Sequence, residues 1–135
     1  MGGGGVKPIA KPAPRVEGLA FGRASLFAWR MLIAWTTVST PEEAESLAAA
    51  TVERGLAVCV QISGIVSHYR WNGQAERTEE LRLTFKCLEA QLPALEAFVL
   101  ESHPYDVAEW VVVRTERVSE KYLSWAEANS TNQPL

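Results

Sequence analysis

Apolar residues recur along this chain in two periods, and the switches between them mark its elements. Met31 to Val38, "MLIAWTTV", is an apolar and β-branched run that Ser39-Thr40-Pro41 ends, which predicts a buried strand. The next stretch carries a helix start. Thr40 suits the N-cap, Pro41 the first helical position, and Glu43 completes a capping box, with Glu42 and Glu45 favourable near the positive helix end. Ala44, Leu47, Ala48, Thr51 and Val52 fall on one face of this helix, and Gly55 stops it.

From Leu56 to Cys87 the period falls to two, giving a pair of strands joined at Asn72-Gly73, the preferred dipeptide of a type I′ hairpin turn. Leu81, Leu83, Phe85 and Cys87 alternate with Arg82, Thr84 and Lys86; on the outgoing arm Val58, Val60 and Ile62 alternate with Cys59, Gln61 and Ser63. Gly64 then suggests a bulge or a bend, and a bulge there would exchange the two faces of that strand. Pro93 opens a second helix with Leu92, Leu95, Phe98 and Val99 on one side, and His103-Pro104 closes it. "EWVVVR" reads as a fourth strand, and Ser119 caps a last helix, "EKYLSWAEA", that sets Tyr122 and Trp125 on one side.

The order β-α-β-β-α-β predicts an α+β, ferredoxin-like antiparallel sheet with two helices on one face, followed by an extra C-terminal helix. The hairpin is too long for that frame: arms of about 15 residues at ~3.3 Å reach about 50 Å, whereas the first helix covers only ~20 Å. A surplus arm bearing Tyr69 and Trp71, beside an uncovered sheet face, predicts a closed homo-oligomer in which each hairpin extends a neighbour's sheet.

Composition narrows the partners. At 135 residues and 47% hydrophobic the chain suits one domain. Residues 1–30, rich in Gly and Pro, hold five basic residues and one acid, and are expected to form a flexible extension; Val6 stands where a myristoylation motif wants Ser or Thr. The remainder has eight basic and fifteen acidic residues, so nucleic acid is not an expected partner. No apolar run is long enough for a membrane span, and two cysteines without Cys-x-x-Cys spacing suggest reduced thiols in the cytoplasm.

With its elements in place, the chain resembles the CutA divalent-cation tolerance family from residue 31 to about 128. The likeness lies in ordered pieces: a strand followed by "TT" and a Pro/Glu helix start, "ERGLAVCVQI", "YRWNG", "LTFKC", "HPYDVAE" and "YLSWAEA". The resemblance implies a ferredoxin-like homotrimer similar to the nitrogen-regulatory PII proteins, spanning 31–128, with 129–135 as a tail. It also implies a role in divalent-cation, notably copper, tolerance. The chain departs from many relatives at Gln61, at Ser63-Gly64 and at Ala108, and it has Trp35 where some bacterial members carry a second cysteine, so a copper site using that thiol is not expected.

Three chemistries compete for the polar residues. Cys59 and His103 offer a soft thiolate and an imidazole suited to copper or zinc, with Glu109 or Tyr105 to complete the shell; the alternative is a strand cysteine and a helix-end cap. Lys86 is a candidate for holding a small anion in a cleft between subunits, with Tyr69, Trp71, Tyr122 and Trp125 as aromatic walls; the alternative is an inter-subunit ion pair with Glu109 or Asp106 and aromatic packing in the trimer core. Cys87 is expected in the core. His103 with Asp106 or Glu109 resembles an acid/base pair, but no nucleophile elbow, phosphate loop or metal triad accompanies it, so an enzyme is not expected. Glu76, Arg77, Glu79 and Glu80 read as a solvated hairpin edge.

Overall fold

The computed structural model describes residues 31–130; the extension expected over residues 1–30 and the tail beyond Ser130 lie outside them. Strand β1 (Met31–Val38) leads into helix α1 (Pro41–Glu53), and a hairpin of β2 (Cys59–Trp71) and β3 (Gln74–Leu88) follows. A 3-10 turn (Glu89–Gln91) leads to α2 (Leu92–Ser102), β4 (Val111–Arg114) and α3 (Glu120–Ala128). The strands lie in the order β2-β3-β1-β4 with every pair antiparallel, as the ferredoxin-like reading requires.

Local chemistry sets these boundaries. The Glu43 amide donates to Thr40 Oγ1 at 3.1 Å while Glu43 Oε1 accepts from the Thr40 amide at 3.2 Å, so the capping box closes as the sequence implies. Asn72 and Gly73 both take positive φ, 53° and 77°, the backbone that a two-residue type I′ turn demands. One expectation fails at Gly64. The β2–β3 register runs unbroken from Cys59↔Lys86 to Trp71↔Gln74, so there is no bulge and the faces never exchange. Val52 also departs from its expected place: it is exposed, because α1 turns only Ala44, Leu47 and Thr51 fully inward.

Unbroken alternation sorts the sheet into two faces. Leu32, Ala34, Val38, Leu83, Phe85 and Cys87 point to one side, where Ala44 and Leu47 of α1 and Leu95 and Val99 of α2 bury them. Trp110 meets Phe85 edge-on at 5.8 Å. The opposite face is shared out. At one end Leu123 and Ala126 of α3 pack on Met31, Val58 and Leu88. Beyond them the face is open, with Val111 46% and Val113 39% exposed beside half-buried Ile33 and Trp35.

Gln91 ties the layers together in a way that periodicity does not signal. Its buried amide donates to the Gly55 carbonyl at 2.6 Å and accepts from the Leu88 amide at 2.7 Å, joining the end of α1 to the end of β3. Past Leu81 the hairpin leaves the sheet. Residues Gln74 to Glu80 of β3 pair with β2 alone, so the tip is a two-stranded arm carrying exposed Val66, Tyr69 and Trp71.

Candidate functional site

The sequence-selected residues gather at two places, one at each end of the open face. The first lies where α3 crosses the sheet. Lys86 and Cys59 sit opposite each other on β3 and β2. Tyr122 and Trp125, one turn apart on α3, stack at 5.5 Å, and Lys86 Nζ lies 5.7 Å from the centre of the Tyr122 ring. Burial pushes the Tyr122 hydroxyl above its ordinary pKa, and the Cys59 thiol beside it pushes the same way. Among the described residues Lys86 has no carboxylate partner. Cys87, the next residue, faces the core, where burial pushes its thiol up to about 12.

The second place is a cleft of about 570 Å³ between the hairpin arm and the loop that joins α2 to β4. Ser67, Tyr69, Trp71 and Glu80 form the hairpin wall; Tyr105, Asp106, Val107 and Glu109 form the loop wall. His103 fixes the loop at its start. Its Nδ1 accepts the Tyr105 amide at 3.1 Å, and since an amide can only donate, the neutral ring carries its proton on Nε2. That Nε2–H points at the Thr37 carbonyl at 2.9 Å and at Thr36 Oγ1 at 3.0 Å. Thr36 in turn donates to the Glu109 carbonyl at 2.7 Å, which fixes the other end of the loop.

Tyr105 then bridges to the hairpin. Its hydroxyl donates to Glu80 Oε2 at 3.1 Å and accepts a hydrogen bond from the Ser39 hydroxyl at 2.7 Å, while Ser67 donates to Glu80 Oε1 at 2.7 Å. Burial raises the Tyr105 pKa first of all; the Ser39 bond opposes this, and the Glu80 and Glu43 carboxylates add to it. Glu80 is therefore part of a junction rather than of a solvated edge, as only Glu76, Arg77 and Glu79 are. Ser39, Ser67 and Glu80 were missed among the candidates, because each lies far in sequence from the residues it joins.

The two places remain separate within one chain. Cys59 and His103 do not meet, since His103 is held on β1 at Thr36-Thr37 and Cys59 sits on β2 at the level of Ile33, with β3 between. The same spacing parts Lys86 from Glu109. Roughly 13 Å along the strands and 10 Å across them separate the two backbones, so Lys86 and Glu109 do not pair within one chain, and the ion pair expected of them is one between subunits. Among the described residues no three His, Cys, Asp or Glu side chains converge to hold a metal ion.

This sheet order, long hairpin and C-terminal helix can be compared with known proteins. A family model described as CutA1 divalent ion tolerance protein matches residues 32–129. The chain belongs to the CutA family. Its described fold superposes on the structure of CutA from Synechococcus elongatus PCC7942 with a TM-score of 0.71 and 40% identity, covering 73% of this chain and 88% of that one. The divalent-cation tolerance protein CutA of Thermus thermophilus is 38% identical over 95 residues, 70% of this chain and 92% of its own length. Mouse protein CutA is also 38% identical, over 93 residues, but the match covers 68% of this CutA-family chain and only 52% of the mouse protein. The chain thus spans about half the length of that relative. No helix among the described residues is long and apolar enough to cross a membrane.

Proposed function

We propose that this chain acts as a non-catalytic homotrimer in the cytoplasm that contributes to tolerance of divalent cations, copper foremost, by binding the metal ion between protomers. The observation that carries this reading is the unpaired hairpin arm beside the open sheet face. Exposed Tyr69 and Trp71, on the side of the arm that continues the open face of the sheet where Val111 and Val113 also lie, give the surface a second copy covers. Divalent-cation tolerance is the role named by the family description and by the Thermus relative. Cys59, half-buried at the end of β2, supplies the soft donor. His103 of the same chain is two strands away, so a shell using both draws one residue from each of two protomers, and His103 must exchange its present bonds to join it.

Light scattering tests the assembly, with a mass three times that of the chain expected and a monomer mass overturning it. Calorimetric titration with Cu(II) tests the metal reading, with saturable binding weakened in Cys59→Ser and in His103→Ala. Unchanged affinity in both variants removes the site.

A second reading draws on Lys86. Half-buried, over the Tyr122 ring and without a carboxylate partner among the described residues, it suits a small anionic ligand, as in a PII-like signalling or scaffold trimer. Lys86→Ala then abolishes ligand-dependent thermal shifts while copper titration is unaffected.

A further inference from the structure

The hairpin arm has two unlike sides, and the assembly covers one of them. Cross-strand partners point the same way, so Val66, His68 and Arg70 of β2 share a side with Glu79, Arg77 and Ala75 of β3. This is the side of Phe85 and the helices, continued past the end of the core, and Tyr69 and Trp71 point the other way. A second copy that covers Tyr69 and Trp71 leaves it in solvent. Its chemistry changes along the arm. Near the body is an apolar groove of about 530 Å³, lined in part by Pro41, Gly64, Val66 and Leu81. Val66 is 49% exposed, and a Cβ on Gly64 would meet nothing within 4 Å, so the groove has an open notch in its wall. Towards the tip the same side is basic, with Arg70 diagonal to Arg77 and His68 opposite it. Among the described residues Arg70 has no carboxylate partner, and Arg77 has only Glu79, at 3.9 Å with both side chains largely exposed, a pair that contributes little.

From these observations we infer that this side of the arm docks an acidic peptide segment of a partner protein, with one apolar residue seated in the groove and carboxylates on Arg70 and Arg77. Val66 and Arg70 are four residues apart on an extended strand, about 13 Å, so an extended segment carries its anchor and its acids at a similar separation. Glu79, in the groove lining, repels the acids from the body and so sets the direction in which the segment lies. Charge decides the class of partner. Residues 31–135 hold eight basic and fifteen acidic residues, which disfavours a nucleic acid, whereas two guanidiniums beyond an apolar groove suit a short acidic stretch and offer each carboxylate a two-pronged donor. The inference rests on the homotrimer reading only for which side of the arm stays open, and it uses neither the metal nor the small anion.

Random dodecapeptides displayed on phage are selected against the full chain, with EDTA present. The most enriched peptide is then synthesised with a fluorophore and titrated by anisotropy, beside a labelled oligouridylate of the same length. Enrichment of Asp and Glu about four positions from an apolar residue is expected. Arg70→Gln and Arg77→Gln, both at exposed positions, should each weaken the peptide about three- to fivefold. Gly64→Val, which fills the notch without meeting a neighbour, should weaken it as well. Lys121→Gln removes the same charge from exposed α3 and should leave the affinity unchanged. Selection without acidic enrichment, affinity indifferent to both arginine substitutions, an equal loss in Lys121→Gln, or tighter binding of the oligonucleotide overturns the inference. Light scattering on the same samples reports the assembly separately: a monomer mass overturns the homotrimer reading, and the titration still decides this one. A mass above three chains that Arg70→Gln removes overturns it, because the occupant is then another copy of the chain.

Discussion

Replacing His103 by alanine removes three hydrogen bonds at once: the Tyr105 amide to Nδ1, and Nε2–H to the Thr37 carbonyl and to Thr36 Oγ1. At a net value of ~1 kcal/mol for each neutral bond, reduced for the geometry of the shared donor, the loss should be about 2–3 kcal/mol. It appears without any metal. Urea unfolding followed by circular dichroism, in EDTA and at one fixed protein concentration, measures it and keeps assembly from confounding the comparison. The amide variants divide the sum. The side-chain oxygen of His103→Asn reaches the place of Nδ1 and should restore the Tyr105 bond alone, whereas the nitrogen of His103→Gln reaches the place of Nε2 and should restore the bonds to β1. Gln is therefore expected to recover more than Asn. A His103→Ala protein within about 0.5 kcal/mol of the parent would refute the reasoning, since surface substitutions away from such contacts fall in that range. It would return His103 to the pool of free metal ligands.

Two further outcomes follow from buried groups and caps. Folding raises the Cys87 thiol from 9.0 to about 12, so its contribution is fully present below pH 9 and is lost as pH rises from there towards 12; the slope is at most about 1.4 kcal/mol per pH unit. Alkaline titration of stability should show that decline, and Cys87→Val should flatten its early part, leaving the later fall from the raised Tyr105 and Tyr122 hydroxyls. Thr40→Ala should cost about 1 kcal/mol in the same unfolding assay by leaving the Glu43 amide without its side-chain acceptor. No change there would mean that the first turn of α1 is held by packing alone.

Elements defined by neighbouring residues were legible in the sequence. The Thr40 box, the Asn72-Gly73 turn, the Ser119 cap and the stop at His103 all rest on residues within a turn of one another. Gly64 was misleading because a missing side chain permits a bulge without requiring one; the ladder keeps its register, and a Cβ there would meet nothing within 4 Å. The candidate site was half legible. Tyr69, Trp71, Tyr105 and Glu109 were selected for their chemistry and do share a cleft, but Lys86, Tyr122 and Trp125 lie at the other end. No spacing rule joins Ser39 to Tyr105, 66 residues apart, or Tyr105 to Glu80, 25 apart. Which end of a sheet a side chain occupies depends on long-range register, and one strand's alternation reports only the face.

The unequal lengths of the strand ladders also order events in time. The hairpin closes around a two-residue turn with contacts local in sequence, so it can form early and by itself. Strand β4 has only four rungs on β1, and beside them the Thr115–Met31 bonds link residues 84 apart, so its pairing bears the largest loop-closure entropy for the smallest reward. The last step of folding is then the docking of β4, and this step also draws the α2–β4 loop against the hairpin. Until it happens there is a hairpin and a core, but no cleft. In refolding followed by pulsed hydrogen exchange, the β2 and β3 amides should gain protection first, and the amide of Tyr105 should become protected only together with those of Val111 to Arg114.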